Sequence, residues 1–259
     1  MRVLSFANLK GGVGKTTSSV AFATILQEKG YKTLLIDANP QCDSSILYNA
    51  DLDEKPSLNN VILVKGYGKV SIQDAIQHTK IGDIVAGSQE LYLADAMLND
   101  LAKFKNAVSE LNDYDFVIVD TSNVSNSLVY NIFNAADDVI LTVTADTDAI
   151  RLTYDIKDMI DEVKERTGSK LNLEGILLCN AASNTNLDKS APETLAAVAK
   201  SMNTKYFNTK IRNCVKVRES KTVKMPLIEY APKCTAALDY VAVVDEYLSD
   251  IENHGGMEN

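Results

Sequence analysis

The chain has 259 residues, 46% of them hydrophobic, which is enough to bury the core of one large α/β domain. No apolar run approaches the ~20 residues of a membrane helix, and no cleavable leader pattern precedes the first apolar run, so neither membrane insertion nor secretion is expected. A formal charge of −9 disfavours adhesion of the whole surface to nucleic acid or anionic lipid, and leaves only a local basic patch for such a role.

Val3-Leu4 reads as a strand and is followed by Ser5-Phe6-Ala7-Asn8-Leu9-Lys10-Gly11-Gly12-Val13-Gly14-Lys15-Thr16-Thr17. Glycines at 11, 12 and 14 let the backbone turn tightly enough to aim successive N–H groups at a phosphate. Lys15 would bring charge to the β- and γ-phosphates, Thr16 a hydroxyl for Mg²⁺, and the following helix its positive end. A strict Walker A loop has glycine at position 9; this chain has Leu9, and a second lysine, Lys10, before the glycines.

Val20, Ile25 and Leu26 then predict a helix over 17–29, stopped by Gly30. Lys32 to Asp37 is an apolar run ending in an acid, as in a buried parallel strand whose carboxyl end faces a ligand. The polar turn 38–45 leads into a short helix. Ser57 and Ser71 look like helix caps, Ser71 before Ile72-Gln73-Asp74-Ala75-Ile76. A strand is expected over 81–86, a helix capped by Ser88, and a helix over 104–111. Tyr114 to Asp120 repeats the strand-plus-acid signal and matches a Walker B strand, whose aspartate holds Mg²⁺, often through water. Further strands are expected at 138–143, 173–179 and 206–211, with helices at 147–166, 191–202 and 235–252. This alternation predicts a single-domain α/β P-loop NTPase over 1–252, with a mostly parallel, twisted sheet covered by helices on both faces and a flexible tail at 253–259. Cys42, Cys179, Cys214 and Cys234 lack metal spacing and are expected to be small, buried, reduced thiols of a cytoplasmic protein.

Lys10 to Thr17 resembles the deviant Walker A motif of the ParA/MinD ATPases. Leu34-Leu35-Ile36-Asp37-Ala38-Asn39-Pro40-Gln41 and Phe116 to Thr121 are similar to that family's next two motifs. The run Ile211-Arg212-Asn213-Cys214-Val215-Lys216, with Glu219-Ser220 and Pro226 to Lys233, is similar to the tail of the ParA/Soj partition type. The last helix carries Asp239, Asp245, Glu246, Asp250 and Glu252, unlike the basic membrane helix of the MinD branch.

The resemblance implies an ATP- and Mg²⁺-dependent homodimer in which Lys10 reaches the partner's nucleotide. It further implies a ParB-like DNA-binding partner that stimulates hydrolysis, and nonspecific DNA. Lys10 and Lys15 would stabilise transition-state charge. Thr16 and Asp120 would hold Mg²⁺, Asp37 would support the metal and nucleophile, and Gly11 to Thr17 would wrap the phosphates. Asn180 and the Ile211–Arg212–Asn213 segment would neighbour the adenine.

DNA would meet basic residues of the C-terminal region: Lys200, Lys205, Lys210, Arg212, Lys216, Arg218, Lys221, Lys224 and Lys233. A solvated face explains the same charges equally well. Two departures stand out. Asn39 replaces an acid that positions or activates water, and Thr121-Ser122-Asn123 replaces a proline-containing loop after Asp120. A hydrolysis-impaired regulatory or scaffolding module of a mobile element is therefore the alternative. An iron–sulfur reductase on the same fold would need paired cysteines at a dimer seam.

Overall fold

A computed structural model describes residues 1–64, 66, 68–182 and 186–255. The chain runs β1 (Arg2–Ala7), α1 (Lys15–Glu28), β2 (Thr33–Ala38), α2 (Asp43–Leu47) and α3 (Leu58–Ile62). It continues through β3 (Ile76–His78), β4 (Asp83–Val85), α4 (Ala94–Met97), α5 (Lys103–Val108), β5 (Phe116–Thr121) and α6 (Ser127–Ala135). Then come β6 (Asp138–Val143), α7 (Thr147–Thr167), β7 (Asn172–Leu178), α8 (Asn186–Ser201) and β8 (Lys205–Tyr206), and finally α9 (Val215–Thr222), α10 (Leu227–Tyr230) and α11 (Thr235–Gly255).

The eight strands form one sheet in the order β3-β4-β2-β5-β1-β6-β7-β8, and only the β3–β4 edge pair is antiparallel. Strands β2, β5 and β6 are buried along their whole length, as crossover helices on both faces of a parallel sheet require. The period-2 pleat sends alternate side chains to two cores. Val3, Leu34, Ile36, Val117, Val119 and Leu141 face the side packed by α3, α5, α6, α7 and α8. Leu4, Phe6, Leu35, Ile118 and Ile140 face α1 and α11.

Helix α1 lies between sheet and α11 and is buried almost all round; Phe22 meets Phe6 edge-on at 4.8 Å and Tyr247 at 6.0 Å. Its small polar residues survive there because each has a partner: Ser19 Oγ donates to the Lys15 carbonyl at 3.0 Å, and Ser18 Oγ pairs with Tyr240 Oη at 3.1 Å.

Several boundaries depart from the sequence reading. The strand expected at 206–211 shrinks to Lys205–Tyr206, because continuous pairing ends there; the chain then keeps single contacts with the end of β7, from the Phe207 N–H to the Ile176 carbonyl (3.0 Å) and the Ile211 N–H to the Leu178 carbonyl (2.8 Å), before the Ala181–Arg212 bridge. The segment after Ser71 forms one 3₁₀ turn and then an edge strand. Helices α6, α9 and α10 stand where the sequence pattern predicts none. Helix α11 continues to Gly255, into the expected tail, and 256–259 lie outside the described residues.

Candidate functional site

The crossover from β1 to β2 and that from β5 to β6 run in opposite directions along the sheet, which opens a crevice at the carboxyl ends of β1 and β5. A cleft of about 590 Å³ lies there, lined by Gly11 to Thr17, Asn39, Asn123, Asn180, Ile211 to Cys214, Val217 and Arg218. The structure thus brings the glycine loop together with both segments expected near a base.

The loop is built by its neighbours. Asn8 is buried; its Nδ2 donates to the Thr142 carbonyl at 2.9 Å, and its Oδ1 accepts the Lys10 N–H at 2.8 Å. Gly12 and Gly14 have φ of 76° and 100°, where a side chain is strained. At Gly14 a Cβ would also come within 3.1 Å of Cys179 at the end of β7. Lys15 folds back under the loop and donates from Nζ to the Asn8 carbonyl (2.8 Å) and the Lys10 carbonyl (3.0 Å). Burial pulls its pKa down to about 8, against the attraction of Asp120.

Beneath the loop, Asp37 and Asp120 are register partners on β2 and β5, and both are wholly buried. Asp37 accepts the Ser45 N–H (2.9 Å) and hydroxyl (2.7 Å), and the Asn39 N–H (3.1 Å). Burial, and then the charge of Asp120, push its pKa up to about 7 in spite of those donors. Burial raises Asp120 as well, opposed by the hydroxyls of Ser44 and Thr16 and by the Lys15 charge. Ser44 Oγ donates to Asp120 Oδ2 at 2.5 Å, whereas Oδ1 is buried without a hydrogen-bond partner. Two adjoining buried carboxylates, one with an orphaned oxygen, fit a hard divalent cation, which relieves their repulsion.

Asn39 is 7% exposed, and its Oδ1 accepts the Gln41 N–H at 3.1 Å. Gly87 completes this floor: its N–H donates to Ser45 Oγ at 2.9 Å, and a Cβ there would lie 2.9 Å from Asp37 Cγ. Sequence reasoning missed Ser44, Ser45 and Gly87. The signal available was a polar Asp-Ser-Ser run just after the first strand-ending acid, since a buried carboxylate needs donors.

Lys10 is outside the cleft lining and pairs with Asp146 of its own chain at 2.5 Å. Asp146 also accepts the Ala149 N–H at 2.9 Å, capping α7. Although burial opposes it, Lys10, Thr144 and this N–H hold the Asp146 carboxyl below the ordinary range. At the other end of the cleft, Asn213 Nδ2 donates to Asn180 Oδ1 at 2.6 Å, and Arg212 forks onto Asp239.

The expected DNA-facing residues differ in how they are held. Lys205 is held by Glu174 at 2.9 Å and by Asp250, and lies 4.1 Å over the Phe207 ring. Arg218 borders the nucleotide-sized cleft, Arg212 is paired with Asp239, and Lys216 is paired with Glu219 at 2.8 Å. Lys200, Lys210, Lys224 and Lys233 remain exposed. Among the described residues no helix is long and apolar enough to cross a membrane, and no cluster of three or more His, Cys, Asp or Glu could hold a metal. Only Cys42 and Cys179 are buried as expected of all four; Cys214 and Cys234 are partly exposed.

The profile of an AAA domain (AAA_31) matches residues 1–173. A Mycobacterium tuberculosis protein of uncharacterised role is 28% identical over 257 residues, covering 95% of this chain and 78% of its own. The chromosome partitioning protein ParA of Caulobacter vibrioides is 26% identical over 259 residues, covering 96% and 94%. Among solved structures, cobyrinic acid a,c-diamide synthase of Mycobacterium smegmatis, with an ATP analogue and magnesium, superposes with a TM-score of 0.81 at 27% identity, covering 97% and 96%.

Proposed function

The chain belongs to the AAA_31 family of AAA domains and, within it, to the ParA/MinD ATPases, and from that premise we propose that it is a slow, ATP-dependent dimerising switch of partition type. The observation that carries this reading is the floor of the cleft, where Asp37 and Asp120 stand side by side beneath a glycine loop with Lys15 tucked under it. The N–H groups of Gly11 to Thr17 cradle a triphosphate, and Lys15 exchanges its carbonyl partners for phosphate oxygens. Thr16 and Asp120 hold Mg²⁺, with Asp37 supporting that shell. Bound Mg²⁺·ATP supplies the transferable phosphoryl group and the charge that neutralises it.

Catalysis of phosphoryl transfer is mostly positioning and electrostatics. Asn39, beside Asp37, can orient an attacking water but cannot take its proton. Loss of general-base assistance slows hydrolysis by roughly 10²–10⁴-fold. In the dimer Lys10 leaves Asp146 and reaches the partner's nucleotide. A ParB-like partner resets the switch, and exposed Lys200, Lys210 and Lys233 meet nonspecific DNA.

Single-turnover ATPase measurements on wild type and Asn39→Asp test this. The expected result is turnover at least ~10-fold faster in the variant. Equal rates would remove Asn39 from the account of slow hydrolysis. The second reading, a module that binds ATP as a regulator without hydrolysing it, is favoured by Asn39 and Asn123, which line the cleft, together with buried Ser122. It predicts no turnover in either protein.

A further inference from the structure

Two of the four thiols lie where the segment before α9 meets the start of α11, one of them on the cleft. Cys214 is the N-cap residue of α9 and lines the cleft; Cys234 stands immediately before α11. Twenty residues apart in sequence, they are brought together because Arg212 donates from its N–H to Asp239 at 2.9 Å and from Nη2 to the Thr235 carbonyl at 3.5 Å, which seats the segment before α9 against the start of α11, and both cysteines pack on the same core cluster. Both are partly exposed, so a small reagent can reach them.

We propose that Cys214 and Cys234 form a reactive dithiol, a modification site for low-molecular-weight disulfides and peroxides, in which Cys214 attacks and Cys234 resolves to an intramolecular disulfide.

The helix ends supply the asymmetry. Burial opposes ionisation of Cys214, but the N–H groups of Lys216 and Ala236 and the Thr235 hydroxyl outweigh it and lower its pKa. Arg212 and Lys216 add positive charge that the thiolate attracts. Burial leaves Cys234 raised, although the Ala237 N–H reaches its Sγ at 3.4 Å. Cys42 and Cys179 are each pushed by burial up to about 12, so they serve as inert internal references.

With a disulfide RSSR, the Cys214 thiolate attacks one sulfur, the S–S bond breaks and one RS⁻ leaves. The Cys234 thiolate then attacks Cys214 sulfur and displaces the second RS⁻. The two thiolates take up the two protons the cysteines released, so the protein loses two electrons and RSSR gains them. With hydrogen peroxide, the O–O bond breaks to give a sulfenic acid on Cys214 and water. Attack by Cys234 then expels a second water.

Because Cys214 borders the same cleft as the glycine loop, bound Mg²⁺·ATP shields it. That clause alone rests on the nucleotide reading.

The test treats the full chain with oxidised glutathione at neutral pH and maps its peptides by mass spectrometry. A Cys214–Cys234 link with Cys42 and Cys179 still free is expected. Cys234→Ser should stop at a glutathione adduct on Cys214, and Cys214→Ser should react at least ~10-fold more slowly than wild type. Any link through Cys42 or Cys179, or Cys214→Ser reacting as fast as wild type, overturns the proposal. Mg²⁺·ATP should slow linkage several-fold, and calorimetry on the reduced protein keeps the two readings apart. Linkage without detectable ATP binding overturns the nucleotide reading alone, and ATP binding without linkage overturns the dithiol alone.

Discussion

Asp37 makes the stability of the metal-free protein depend on pH in an unusual direction. Its pKa rises from an ordinary 3.8 to about 7 on folding, first through burial and then through Asp120. Between these values the native state holds a proton that the unfolded chain has lost. Stability therefore falls as pH rises through this window, and the penalty is complete above about 7. Each pH step costs up to ~1.36 kcal/mol for one proton, and with the folded group half-ionised near 7 the interval from about pH 5 to pH 7 is worth roughly 2.3 kcal/mol.

For a chain of this size that is a fall in Tm of about 5–10 °C. The carboxyls whose values are lowered, Asp51, Glu90, Asp146, Glu162 and Glu219, titrate below this range and do not mask it. In Asp37→Asn the slope should fall by the Asp37 share, leaving what Asp120 and Glu174, which burial also raises, contribute. Thermal melts in EDTA, for wild type and variant from pH 5 to 7.5, read the difference directly. Mg²⁺ with ADP should flatten the wild-type profile, because a cation favours the ionised pair. Parallel profiles for the two proteins in EDTA would refute the reasoning.

Two further substitutions probe the loop. Gly14→Ala forces a side chain into φ 100° and to within 3.1 Å of Cys179. The expected cost is ~2–3 kcal/mol in urea melts, with ATP binding lost in calorimetry. Lys10→Ala removes an ion pair whose two side chains are 34% and 32% exposed, so the monomer should lose less than ~1 kcal/mol. ATP affinity should hold while ATP-dependent dimers weaken. Sedimentation that shows an unchanged dimer would separate Lys10 from dimerisation.

What the sequence made legible follows from which signals are local. The strand-ending acids Asp37 and Asp120 announce themselves because a strand buried on both faces must be apolar until it reaches the ligand edge. Helix α6 is hidden for the opposite reason. Its Ser-Leu-Val-Tyr-Asn-Ile-Phe-Asn-Ala run mixes β-branched and turn-forming residues, and tertiary burial of Leu128, Ile132 and Phe133 overrides that propensity. Asn126, which accepts the Val129 N–H, was the one readable cue. Helix α9 has too little apolar periodicity to be seen. The seating of Ser45 and Gly87 on Asp37, and the meeting of Cys214 with Cys234, depend on pairings across the fold that no spacing encodes. The same is true of Lys205, which reads as a surface charge and is folded against Glu174, Asp250 and Phe207.

The geometry around Asn39 also says what restoring an acid there would cost. The Asn39 N–H already donates to Asp37 Oδ1, and the side chain is almost buried, so a third carboxylate would join two whose ionisation burial already opposes. The amide's acceptor role toward the Gln41 N–H is one a carboxylate can keep, so the change is electrostatic rather than steric. Asn39→Asp should therefore hydrolyse ATP faster yet melt lower in EDTA at pH 7.5, by ~1–3 kcal/mol of like-charge repulsion and desolvation. Mg²⁺ with ADP should recover most of that loss. Activity and metal-free stability would then move in opposite directions through one atom pair. A variant that gained rate with no loss of stability in EDTA would show that position 39 does not feel the Asp37–Asp120 charge.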